Sequence, residues 1–166
     1  MFPIKENQHL SKSRSNRSEP AGRTVILFAA AALIGFLGWS GVARLSWISL
    51  LYPFLYLQSR SRLEALSAVF YYAGATWSVV PGTAVFFGTN AGFALPLLLF
   101  FGCIALGSLP WVLLYHRRFI EVSTIAALAV LALPPFSLVT VAHPLVSAGQ
   151  WFPATRWFGI VLPLLA

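Results

Sequence analysis

The run FALPLLLFFGCIALGSLPWVLLY, from Phe93 to Tyr115, contains no charged residue and ends against His116-Arg117-Arg118. At ~1.5 Å per residue, a helix of that length covers the ~30 Å hydrocarbon core of a bilayer. A soluble helix must turn one side to water, so a soluble fold has little use for so long a charge-free stretch. Pro96 and Pro110 lie near the ends of the run, where a missing backbone hydrogen bond is easiest to replace. Trp111 and Tyr115 adjoin the basic cluster, and such rings favour the headgroup layer. The run predicts a transmembrane helix with its C-terminal end in the cytoplasm. A buried core helix of a soluble protein is the competing reading.

Composition points the same way. The chain is 58% hydrophobic and 9% charged, against about 25% charged in an ordinary soluble domain. Its net charge is +7, with four Glu and no Asp. A basic balance can signal nucleic acid, but the placement of the charges matters more than their sum. The single cysteine, Cys103, excludes an intramolecular disulfide and says nothing of redox compartment.

Residues 1–23 are polar and basic, with too few apolar side chains to offset ordering entropy. They read as a disordered cytoplasmic tail that acts as a topology signal; lipid or DNA binding by its cations is the sharper alternative. Residues 24–166 read as one transmembrane helical domain. Its first span is Thr24–Trp39, where Ala31 and Gly35 are four apart and allow a close helix approach. A signal peptide cleaved near Gly41-Val42-Ala43 competes with this, but the long preceding segment and the later spans favour an uncleaved helix.

Leu45–Gln58 is brief for a crossing and contains Pro53, so it reads as a short kinked span or a re-entrant segment. Trp47 near its start and Tyr52 and Tyr56 towards its end suit two membrane interfaces. Arg60 and Arg62 mark the next turn, and Leu63–Val80 is the third span, with Glu64 where a carboxylate suits a helix start. Residues 81–92 (PGTAVFFGTNAG) read as turns dipping into the interface. After Arg118 a helix beginning near Glu121 either stops at Pro134-Pro135 or continues kinked to Ala142. His143–Arg156 is irregular. Trp157–Ala166 opens another apolar run that ten residues cannot carry across a bilayer, so the last helix reads as truncated.

Counting charges tests this layout. If every span crosses, the tail, Arg60, Arg62, Arg117 and Arg118 share one side, with nine of the eleven Lys and Arg residues. Only Arg44 and Arg156 remain opposite, as the positive-inside rule requires. The chain therefore reads as an all-α, polytopic helical membrane protein. It has five to six transmembrane helices, a cytoplasmic N-terminus and a place in the bacterial inner membrane.

Chemistry is sparse. There is no Gly-rich phosphate loop, no paired cysteines, no His-x-x-x-His and no Ser/His/Asp set, and neither cofactor nor metal is expected. Cys103, in mid-span, has no cation to stabilise a thiolate and reads as a packing residue. Trp77, Asn90, His143, Trp151 and Arg156, on the non-cytoplasmic side, are the candidates to face lipid or substrate. Arg60, Arg62, Arg117 and Arg118 are the topology-determining set. A transporter or channel would need a polar path, and the spans offer little beyond Tyr71, Tyr72, Thr76 and scattered serines. The expected partners are membrane lipids and other membrane proteins, not nucleic acid.

Two stretches carry a family resemblance. SLLYPFLYLQSRSRLEALSAVFYYAGATW resembles the second and third membrane segments of apolipoprotein N-acyltransferases, with a short span, a basic turn and a small-residue helix ending in aromatics. PPFSLVTVAHPLVSAGQWFPATRWFGI resembles the TraB family of conjugal transfer proteins. The resemblance covers most of residues 24–166. It implies a membrane region joined to a carbon–nitrogen hydrolase domain on the non-cytoplasmic side, with a catalytic Glu, Lys and Cys in that domain. None of the three maps to a position here, so the resemblance implies a non-catalytic membrane region, with other conjugation proteins as expected partners.

Overall fold

The computed structural model describes residues 7–87, 92–139 and 142–147. These form helices joined by turns, with no β-strand among the described residues. Helix α1 runs from Asn7 to Gly38, a 3-10 helix from Ala43 to Leu50, and α2 from Leu51 to Tyr56. Then come α3 (Arg62–Ala65), α4 (Ser67–Ala75) and α5 (Val79–Phe87). α6 spans Ala94–Leu113, α7 Ile120–Leu131 and α8 Phe136–Val139. The backbone of α1 is thus already helical within the basic segment read as a tail. Once a packed segment has formed its first turn, adding residues costs little.

The helices shuttle between two ends of a bundle. Arg23 pairs with Glu64, Phe28 stacks on Phe70 and Phe36 meets Trp77, so α1 and the α3–α4 segment run parallel. The segment between them must return, and it does: Ser49 lies against Gly38, while Gln58 comes back to Arg23. α6 runs opposite to α4, with Gly107 on the Tyr72 ring and Tyr115 bonded to the Ser59 carbonyl. α7 leaves that end, and its Leu128 carbonyl meets His143.

The closest packing is between α1 and α4. A Cβ added at Gly35 would sit 2.1 Å from the Tyr71 carbonyl oxygen, and one at Gly74 2.2 Å from that of Ala32. Ala31, fully buried, flanks this contact. The close approach read from Ala31 and Gly35 is therefore present, with Gly74 as its partner. Backbones meet where side chains are smallest, as in small-residue helix pairs of membrane proteins.

The count of five to six transmembrane helices needs correction. Among the described residues, two helical segments are long and apolar enough to cross a membrane, Ala21–Gly38 and Ala94–Leu113. The other passes are broken. Leu63–Val80 divides at Leu66, where Leu66 N–H bonds to the Leu63 carbonyl three residues back, and again after Ala75. The following helix stops at Leu131, short of Pro134-Pro135, as the first of the two sequence alternatives has it. Leu45–Gln58 becomes a 3-10 helix followed by α2. At ~2.0 Å per residue for the first part and ~1.5 Å for the second, the pair reaches about 25 Å. The 3-10 helix lies at the Gly38 end, where Ser49 meets that glycine, and α2 with Leu57 and Gln58 makes the return toward Arg23. In α6 the prolines behave as expected, with Pro96 in the first turn and Pro110 in the last.

Two further expectations change. Residues 81–87, read as turns, belong instead to the helix α5, and residues 88–91 of that reading lie outside the described residues; Val85, Phe86 and Phe87 are exposed, as an interfacial segment would require. Tyr52, Tyr56, Trp111 and Tyr115 were placed at interfaces, yet all four are buried. With Tyr71 and Tyr72 they make the core. Tyr52 stacks on Tyr71 at 4.2 Å and meets the edge of Trp111 at 5.0 Å, and Tyr56 meets Trp111 at 4.8 Å. The rings prefer one another because edge-to-face pairs add to the gain from burial.

Candidate functional site at the arginine end

The turn between α2 and α3 is built by local chemistry. Ser61 caps α3, its Oγ accepting the Glu64 N–H at 3.2 Å, while Glu64 Oε2 accepts the Arg60 N–H at 2.6 Å. This is a capping-box arrangement displaced by one residue, and it uses the Ser-x-x-Glu spacing visible in the sequence. Glu64 Oε1 also lies 3.9 Å from Arg23 Nε, and Arg23 donates to the Gln58 carbonyl. One buried carboxylate thus ties α1 to the turn before α4.

The turn after α6 reaches the same place. His116 N–H bonds to Ser123 Oγ, which in turn donates to the Phe119 carbonyl, closing a tight 3-10 turn at Arg117–Phe119. The Arg118 guanidinium lies 5.8 Å above the Phe119 ring. A cleft of ≈ 380 Å³ opens between the two turns and the side of α1. It is lined by Arg23, Leu57, Gln58, Ser59, Arg60, Arg117 and Ile120. Arg62 and Arg118 adjoin it in the chain, so the four topology-determining arginines gather at one end. Arg23 joins them, a residue the sequence reading had only as part of the tail.

The other sequence candidates do not converge. Trp77 packs against Phe36 at the far end. His143 is used structurally: Nδ1 accepts the Leu145 N–H at 3.1 Å and Nε2 faces the Leu128 carbonyl at 3.2 Å. With Nδ1 accepting, Nε2 carries the proton, and both ring nitrogens are occupied. Burial holds the His143 pKa below its usual value, partly offset by the Leu128 carbonyl. Asn90, Trp151 and Arg156 lie outside the described residues.

This arrangement can hold negative charge. Among the described residues no three His, Cys, Asp or Glu side chains come together that could hold a metal ion. Cys103 is buried in α6, about 12 Å along the helix from Trp111.

Fold and surface define a helical chain that shows its apolar side chains outward and gathers arginines at one end. Comparison with known proteins adds a narrower likeness. The chain is similar to the conjugal transfer protein TraB of Agrobacterium fabrum (strain C58 / ATCC 33970), 31% identical over 150 residues, or 83% of this chain and 36% of that protein. It is also similar to the probable conjugal transfer protein TraB of Sinorhizobium fredii (strain NBRC 101917 / NGR234), 29% identical over 142 residues, covering 82% and 35%. The chain spans about a third of the length of these relatives. No protein-family model matches it, and no solved structure does.

Proposed function

We propose that this chain is a membrane-embedded helical module of a TraB-like conjugal transfer protein, set in the bacterial inner membrane with its arginine end in the cytoplasm. The observation that carries the reading is the inversion of burial. Leu98, Phe101 and Leu113 of α6 and Val25, Ile26 and Leu33 of α1 are exposed. Only 39% and 22% of the two long apolar segments is buried. A core helix of a soluble protein would be mostly buried, and a soluble monomer rarely exposes apolar patches beyond a few hundred Å².

The interior, by contrast, holds tyrosines, serines and threonines. Thr76, Thr83 and Thr124 each donate to the carbonyl four residues back, a way of satisfying hydroxyls where water is absent. Gathering the arginines at one end supports the orientation under the positive-inside rule. The link to conjugal transfer rests on the relatives' names and on similarity over most of this chain. A nitrilase-like amidase or acyltransferase activity is not proposed for these residues. A transporter reading finds no support, since Tyr71, Tyr72 and Thr76 are packed into the core and line no path.

Reporter fusions test the orientation. Fusions after Arg62 and Arg118 should report cytoplasm, and fusions after Asn90 and Gln150 the opposite side. A cytoplasmic signal at Asn90 would remove the reading, because α6 would then not separate Asn90 from Arg117.

A further inference from the structure

The cleft at the arginine end has more positive charge than its surroundings can compensate. Arg23, Arg60 and Arg117 line it from three elements distant in sequence: α1, the turn before α3 and the turn after α6. Their meeting is a product of the tertiary fold. The one ion pair among the described residues is Arg23 with Glu64. Glu64 is already committed, to that pair and to the Arg60 backbone N–H. That leaves three lining arginines against one committed carboxylate, so the cleft keeps a net positive charge.

A second, independent feature lies in the same wall. Ser59 is 5% exposed, and its Oγ has no hydrogen-bond partner. Leaving a buried hydroxyl unpaired is unfavourable, and native proteins do so rarely. An oxyanion in the cleft would accept from Ser59 Oγ and offer further oxygens to guanidinium forks, whose planar geometry suits phosphate. Leu57 and Ile120 give the cleft an apolar side, which a bare ion does not need but a glycerol ester can use.

We propose that this cleft binds a phosphate ester, with Arg60, Arg117 and Ser59 as its contacts and Arg23 completing the charge. The favoured source is the headgroup of an acidic phospholipid, since the cleft lies where α1 and α6 reach the arginine end. That choice of source rests on the membrane reading; the phosphate chemistry does not. A single open cleft of this size suits one phosphate group better than the continuous track that nucleic acid would need.

The test uses the full chain purified in neutral detergent. Thermal midpoint and binding are measured with phosphatidylglycerol, phosphatidylcholine, soluble glycerol phosphate and a DNA duplex as probes. Phosphatidylglycerol should bind and raise the midpoint, phosphatidylcholine should not, and Arg60→Gln or Arg117→Gln should weaken binding about tenfold.

Ser59→Ala gives the more specific signature. It removes the unpaired hydroxyl, so the ligand-free protein should be no less stable, yet it should bind several-fold more weakly. A merely structural serine would not separate those two readouts. Binding of glycerol phosphate as well would support the site while making its chemistry general, and it would still be read if the topology fusions failed. Equal binding of the two lipids, or binding unchanged in both arginine variants, would overturn the proposal. So would arginine-dependent binding of DNA alone.

Discussion

Gly35 and Gly74 act through what they lack. Each lets the backbone of α1 or α4 occupy the space a Cβ would need, and the obstructing atoms are backbone, which cannot swing aside. Gly74→Val should therefore force the pair apart, costing about 1–3 kcal/mol or more. Gly102 in α6 has open space around it, and there Ala should stabilise by about 0.5–1 kcal/mol through helix propensity. Thermal unfolding in detergent compares the two; equal effects of both substitutions would mean that α1 and α4 do not pack as described. Cys103, in contrast, is buried in α6. Cys103→Ser should leave any function of the chain intact, and a covalent acyl adduct on Cys103 would contradict that.

Among the elements, the junction of α7 with the Pro144–Ser147 turn depends on one imidazole. Its Nδ1 accepts the Leu145 N–H, so protonating it breaks a bond as well as placing charge in a buried position. The folded pKa of His143 is lowered from 6.5, burial being the main cause. The neutral form is thus favoured in the folded state, and the unfolded chain takes up the proton first. Stability is full above the unfolded value of about 6.5 and is lost as pH falls below it, toward the folded value. The thermal midpoint should decline through that window, and His143→Asn should flatten the decline at some cost in stability. A slope that persists in the variant would assign the titration to another group. In the same pairing both ring nitrogens of His143 already have partners.

On the scale of the whole molecule, polarity runs in two directions. Radially, tyrosines, small residues and hydroxyl groups lie inside with a few leucines, while many large aliphatic side chains and phenylalanines face outward; axially, arginines collect at one end and exposed Val85, Phe86 and Phe93 belong to the stretch that crosses the other. Among the described residues, neither direction brings Cys103 together with a base and a charge stabiliser, the set that acyl or amide chemistry by a cysteine requires. The purified chain should accordingly show neither amidase nor N-acyltransferase turnover. Turnover abolished by Cys103→Ser would refute this reading. Turnover unaffected by that substitution would point instead to residues outside those described.

Local hydrophobicity was enough to place both long apolar helices, because an unbroken charge-free run carries its own signal at the length of a bilayer. The arginine asymmetry was legible for the same reason: charges alternate from one inter-helix turn to the next, and counting them needs no structure. The small residues at Ala31 and Gly35 announced a close contact, though not that Gly74 would supply its other half. What only the tertiary structure decided was everything that depends on a neighbour. Tyr52, Tyr56, Trp111 and Tyr115 could sit at an interface or inside, and mutual packing placed them inside. Leu63–Val80 could be one helix or several, and its breaks arise at single residues within an otherwise apolar pattern. Arg23, Arg60 and Arg117 are remote in the chain and meet only because the middle of α1, the turn before α3 and the turn after α6 lie at the same level. Hydropathy is a property of a window of sequence, whereas a cleft is made by residues that share no window.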